Sequence, residues 1–131
     1  MKSGAVATID LNIVAQNYRS LQTRCGASEV AATVKADGYG LGAIPIAKAV
    51  YGAGCRSFYV AHFDEALALR AALTDCTIYV LHGIPVGAES ESTQKNITSI
   101  LTHLGAVKRM RETATKLNRK IPVMLHVDTG M

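Results

Sequence analysis

The chain has no apolar run approaching the ~20 residues that a bilayer-spanning helix needs. Its opening residues MKSG lead into an alternating pattern and not into the apolar block of a signal peptide. No membrane partner is expected, and the expected location is cytoplasmic. Cysteine is scarce: Cys25, Cys55 and Cys76 are odd in number and lack CxxC spacing, which argues against a disulfide framework or a structural zinc site and predicts reduced, mostly buried thiols. No HExxH or paired-histidine spacing occurs, so no metal site is expected, although His62, His82 and His126 all fall at or near predicted strand ends. The net charge of +4 is concentrated in Lys108, Arg109, Arg111, Lys116, Arg119 and Lys120. Aromatic interleaving and nucleic-acid motifs are missing there. Val107, Met110, Ala114 and Leu117 recur among these bases at helical spacing, so the bases read as the solvated faces of an amphipathic helix and no nucleic-acid partner is expected.

What is present is an ordinary core composition, 49% hydrophobic in 131 residues, enough for one domain or part of one. Residues 5–10 (AVATID) read as a short strand, after which Asp10 or Asn12 caps a helix to about residue 24 with a buried stripe of Leu11, Val14, Tyr18 and Leu21. A strand follows over residues 29–35. A glycine-rich turn then leads to a helix over residues 43–51 that carries Pro45 in its first turn. The alternation continues with a strand at 57–61, a helix at 64–73, a strand at 77–81, a short helix near 89–95, a strand at 96–101, the basic helix at 103–118 and a last strand at 121–127. Strand and helix alternating at this interval imply parallel strands joined by crossover helices. An open doubly wound sheet and part of a (β/α)₈ barrel both fit. A whole barrel takes about 250 residues, so the second would be partial, about five strands, truncated before closure.

The stretch with chemistry in it is VKADGYGLG, residues 34–42. Gly38, Gly40 and Gly42 are spaced GxGxG and not GxGxxG, which counts against a dinucleotide turn. Lys35 could simply extend from a strand end to water, yet that explains neither the density of glycine nor Tyr39. The remaining reading is a Schiff-base lysine: a primary amine held against an apolar strand favours its neutral, nucleophilic form and condenses with an aldehyde. Pyridoxal phosphate is the matching partner, and glycine amides with the Tyr39 hydroxyl would meet its phosphate. Asp64 and Glu65, on neighbouring positions of a helix start, are expected to diverge and not to act as a pair.

Residues 33–42 (TVKADGYGLG) closely resemble the cofactor-lysine signature of alanine racemases, which usually reads VVKADAYGHG. Residues 8–21 (TIDLNIVAQNYRSL), 61–70 (AHFDEALALR), 78–83 (IYVLHG) and 127–131 (VDTGM) are similar to further segments of that family. The resemblance implies a pyridoxal-phosphate isomerase that interconverts L- and D-alanine, supplying D-alanine for peptidoglycan. It implies an amino-terminal (β/α)₈ barrel, a carboxy-terminal β domain and a homodimer, with residues 1–131 as the amino-terminal part of the barrel domain, inactive by themselves. By position, Lys35 would hold the cofactor and act as the base on the D-alanine side, and Tyr39 would hydrogen-bond the cofactor phosphate. Three positions depart from the usual pattern: Leu41 stands where histidine is common, Asp37 where some members have asparagine, and His126 where many have a carbamylated lysine. The rival reading is a non-catalytic pyridoxal-phosphate carrier of the single-domain barrel type, which needs the lysine but no second base.

Overall fold

The computed structural model describes residues 4–130. Asp10 opens the first helix by accepting the amides of Asn12 at 2.8 Å and Ile13 at 3.3 Å, two donors the helix cannot satisfy internally. This helix, α1 (Leu11–Cys25), ends on Gly26 at φ 59°. It is followed by β1 (Ala32–Thr33), a single turn α2 (Lys35–Tyr39), α3 (Ala43–Gly52), β2 (Ser57–Val60), α4 (Phe63–Ala72), β3 (Thr77–Val80), α5 (Glu89–Gln94), β4 (Ile97–Leu101), α6 (Leu104–Lys116) and β5 (Val123–Leu125).

All five strands are parallel and lie side by side in chain order. A doubly wound sheet reverses its strand order at a switch point, whereas a barrel wall runs consecutively. The fold is therefore α/β, an open and partial (β/α)₈-type wall. The period of two along each strand sorts its residues. Phe58, Val60, Ile78 and Val80 are almost wholly buried in one cluster with Phe63, Ala66 and Leu69 of α4. Apart from Ala66, each of these side chains contributes about 1.5–3 kcal/mol by leaving water. The alternate positions form the other face, where Tyr59 and Tyr79, opposite each other in register, stack with ring centroids 4.6 Å apart.

Several sequence expectations change. Residues 5–10 form no strand; they are exposed and lie outside the five-stranded sheet, because a weak alternation does not by itself place a segment beside a strand. The predicted stripe of α1 narrows to Tyr18, with Val14 partly covered; Leu11 and Leu21 are exposed. Tyr18 donates its hydroxyl to the Val30 carbonyl at 2.8 Å, and its burial, followed by Cys55 beside it, pushes the phenol up to about 12. The thiols are less uniformly buried than expected: Cys55 is buried, Cys76 half-buried and Cys25 exposed. Around the basic helix the stripe of Val107, Met110, Ala114 and Leu117 does face inward, as its spacing implies. The last strand pairs over three residues only, and all three are exposed at the sheet edge.

Candidate functional site

The lysine strand is shorter than its composition suggests. Ladder pairing covers Ala32 and Thr33, the Val34 amide still donates to Tyr59 O at 2.9 Å, and the chain then leaves the sheet. Lys35 is thus the first residue of a turn at the carboxyl end of β1 and not the last residue of the strand. That end of a parallel wall is where such folds place their chemistry.

The turn is left-handed. Ala36, Asp37, Gly38 and Tyr39 have φ of 52°, 51°, 63° and 58°, and Gly40 continues at 82°. Its amides close helical hydrogen bonds in this mirror-image sense: Gly38 N–H to Val34 O at 3.0 Å, Gly40 N–H to Ala36 O at 3.0 Å and Gly42 N–H to Asp37 O at 2.8 Å. For an L-residue with a Cβ the conformation costs roughly 1–2 kcal/mol. Three non-glycine residues adopt it in succession around Gly38, a strain that persists only where surrounding contacts enforce it.

Two carboxylates enforce it. The Asp37 side chain accepts the Ala43 amide at 2.8 Å, tying the turn to the first residue of α3. The Glu65 carboxylate, at the start of α4, spreads over three amides: Oε1 accepts Ala36 N–H at 2.6 Å, and Oε2 accepts Ala61 N–H at 2.8 Å and His62 N–H at 2.9 Å. Burial by itself raises the Glu65 pKa, but the His62, Ala36 and Ala61 amides outweigh it and hold the carboxyl below its ordinary value. Glycine at 38 is needed for space as well as for φ, since a Cβ there would come within 3.1 Å of Ala43 N and 3.2 Å of Ala43 Cα.

On this frame stand the two residues singled out from sequence. Lys35 is half-buried, and no hydrogen bond or ion pair with another described residue engages its amine. Tyr39 is 63% exposed with its hydroxyl likewise unengaged. Both lie on α2. Beside the turn, His62 and His82 follow β2 and β3, and their rings meet edge to face at 4.7 Å. They border an open depression of about 490 Å³ that includes Asp64, Leu67, Ile84 and Pro85 but neither Lys35 nor Tyr39. His126 follows β5, exposed, its amide donating to Leu101 O at 3.0 Å. Among the described residues no three His, Cys, Asp or Glu side chains gather as a metal site would require.

Sequence reasoning missed the roles of Asp37 and Glu65. The Glu65 carboxylate bonds the amides of Ala36, Ala61 and His62, while Asp64 borders the depression beside His62. The signal was available in part, since a glutamate three residues into a helix start is the mark of a capping box, but nothing local reveals that its second oxygen reaches a turn 29 positions earlier.

Comparison with known proteins agrees with this frame. The family model for the alanine racemase N-terminal domain matches residues 9–131. An alanine racemase of Brucella ovis is 44% identical over 132 aligned positions, which cover 100% of this chain and 33% of the relative. That of Methylobacterium nodulans is 41% identical, covering 98% and 35% respectively. The chain therefore spans about a third of the length of these relatives. Among solved structures, the alanine racemase of Bartonella henselae, described as carrying covalently bound pyridoxal phosphate, superposes with a TM-score of 0.95 at 40% identity, covering 100% of this chain and 38% of that one. The Streptomyces coelicolor enzyme gives 0.82 at 34% identity, covering 93% and 33%. On the family match across nearly its whole length, together with the consecutive parallel strands and the lysine turn, the chain belongs to the alanine racemase N-terminal domain family.

Proposed function

We propose that this chain is the amino-terminal part of the barrel domain of an alanine racemase that binds pyridoxal phosphate through Lys35 and interconverts L- and D-alanine. The observation that carries the reading is the left-handed turn itself: a strained backbone at the carboxyl end of a parallel strand presents a half-buried, unengaged amine and, four residues on, an exposed phenol. These residues fit the cofactor by their donor chemistry. A primary amine is what an aldehyde condenses with, and a free hydroxyl at the rim suits a phosphate.

Pyridoxal phosphate, when bound, supplies an electron sink that stabilises the carbanion left by loss of the α-proton. The chain's own residues do the rest. Lys35 would hold the cofactor, and its Nζ would take or return a proton on the D-alanine side of the substrate α-carbon. Tyr39 would anchor the cofactor phosphate through the exposed hydroxyl. Glycine at 38 lets the turn lie against α3 without displacing it. A two-base exchange also needs a group on the opposite face, and we assign none within residues 4–130. The proposed whole enzyme is a cytoplasmic homodimer that supplies D-alanine for peptidoglycan. No helix among the described residues is long and apolar enough to cross a membrane.

The test uses the full-length gene product reconstituted with pyridoxal phosphate. Borohydride reduction followed by peptide mapping should place the label on Lys35, and Lys35→Ala should lose both the long-wavelength absorbance of the lysine-linked cofactor and alanine racemisation. A label on another lysine, or undiminished turnover by the variant, would refute the assignment.

A further inference from the structure

We propose that Glu65 is a positioning residue for Lys35, its carboxylate holding the strained lysine turn against the end of the neighbouring strand and so fixing where the amine stands. The inference rests on the racemase reading given above. It starts from an oxygen that helix capping does not require. Glu65 Oε2 already satisfies the amides of Ala61 and His62 at the start of α4, which is what a third-position glutamate ordinarily does. Oε1 goes elsewhere, to the Ala36 amide at 2.6 Å, the first peptide N–H after Lys35 and the first residue with positive φ.

That placement has a mechanical consequence. β1 ends its pairing at Thr33, and after the Val34 amide no ladder bond holds the chain to β2. The Glu65 carboxylate takes over there. It joins the Lys35–Ala36 peptide to the amides of Ala61 and His62, just past the end of β2, through one rigid planar group. The charge-assisted bonds also oppose the tendency of Ala36 and Asp37 to relax to negative φ. A glutamine in this position retains one acceptor oxygen and substitutes an NH₂ for the other, so one edge of the group would face an amide donor with a donor.

The experiment compares Glu65→Gln with Asp10→Ala in the full-length protein. Asp10→Ala removes two cap bonds of α1 that involve no residue of the turn and reports what loss of a helix cap alone does. Amide hydrogen exchange is read at Ala36 in the cofactor-free protein, and pyridoxal phosphate affinity is read by absorbance titration. Glu65→Gln is expected to speed exchange at Ala36 and to weaken cofactor binding by about tenfold each, near the lower end of what one charge-assisted bond supports; Asp10→Ala should change neither. Unchanged exchange at Ala36 overturns the proposal even where borohydride trapping at Lys35 succeeds. Equal losses in both variants overturn it too, since Glu65 would then act only through general stability. Trapping at a lysine other than Lys35 overturns the racemase reading instead, and Glu65's hold on the turn is then decided by the exchange measurement alone.

Discussion

Replacing Gly38 by alanine tests whether the left-handed turn is the enforced conformation that the structure describes. Two effects act in the same direction. The backbone at φ +63° costs an L-residue roughly 1–2 kcal/mol. The new Cβ would also stand 3.1 Å from Ala43 N and 3.2 Å from Ala43 Cα. These are backbone atoms, and the Asp37 carboxylate pins the first of them at 2.8 Å, so α3 cannot retreat without straining that bond. Overpacking of this kind typically costs 1–3 kcal/mol. Together the two effects predict a destabilisation of about 2–5 kcal/mol. Ala36→Gly provides the opposite sign in the same turn. It removes the penalty at φ 52° against a rise of roughly 0.5–1 kcal/mol in unfolded-chain entropy, and should be neutral or stabilising by up to about 1.5 kcal/mol. Urea titration of the full-length cofactor-free protein, followed by circular dichroism, reads both as shifts of midpoint at constant slope. A Gly38→Ala midpoint equal to wild type, or shifts of the same sign and size in the two variants, would refute the enforced-turn argument.

Other outcomes follow from the same geometry. Tyr39→Phe should keep the fold, because the side chain is 63% exposed, but should weaken pyridoxal phosphate binding by about tenfold, the value of one hydrogen bond to a charged group; unchanged binding in an absorbance titration would remove Tyr39 from the site. Glu89→Gln should make the protein less sensitive to acid. Burial raises the Glu89 carboxyl, but Arg109 Nε at 2.7 Å and the Gly87 amide outweigh it and hold its pKa below the ordinary value. A carboxyl depressed in the folded state stabilises above its unfolded pKa and loses that contribution as pH falls through the folded one. The gap in melting temperature between wild type and Glu89→Gln should therefore close on acidification across that window, and a gap independent of pH would show that the ion pair does not contribute.

The amino-acid sequence by itself determined the elements that local chemistry can specify. Asp10 before an amphipathic run opens α1, Gly26 closes it, and the spacing of Val107, Met110, Ala114 and Leu117 gives α6 its inward face. The aromatic and β-branched runs around Phe58, Ile78 and Ile97 alternate with helices at an interval that implies parallel strands. Lys35 and Tyr39 stand out as candidates in the sequence because an amine, a phenol and three glycines fall within nine residues. What only tertiary structure decided depends on partners distant in sequence. Residues 5–10 look like a strand but form none, while consecutive strand order, which separates a barrel wall from a doubly wound sheet, is a property of neighbours and not of composition. Above all, a left-handed run through Ala36, Asp37 and Tyr39 is contrary to each residue's own preference. Glu65 and the first residue of α3 bind this turn from outside, and no local pattern in residues 34–42 records either contact.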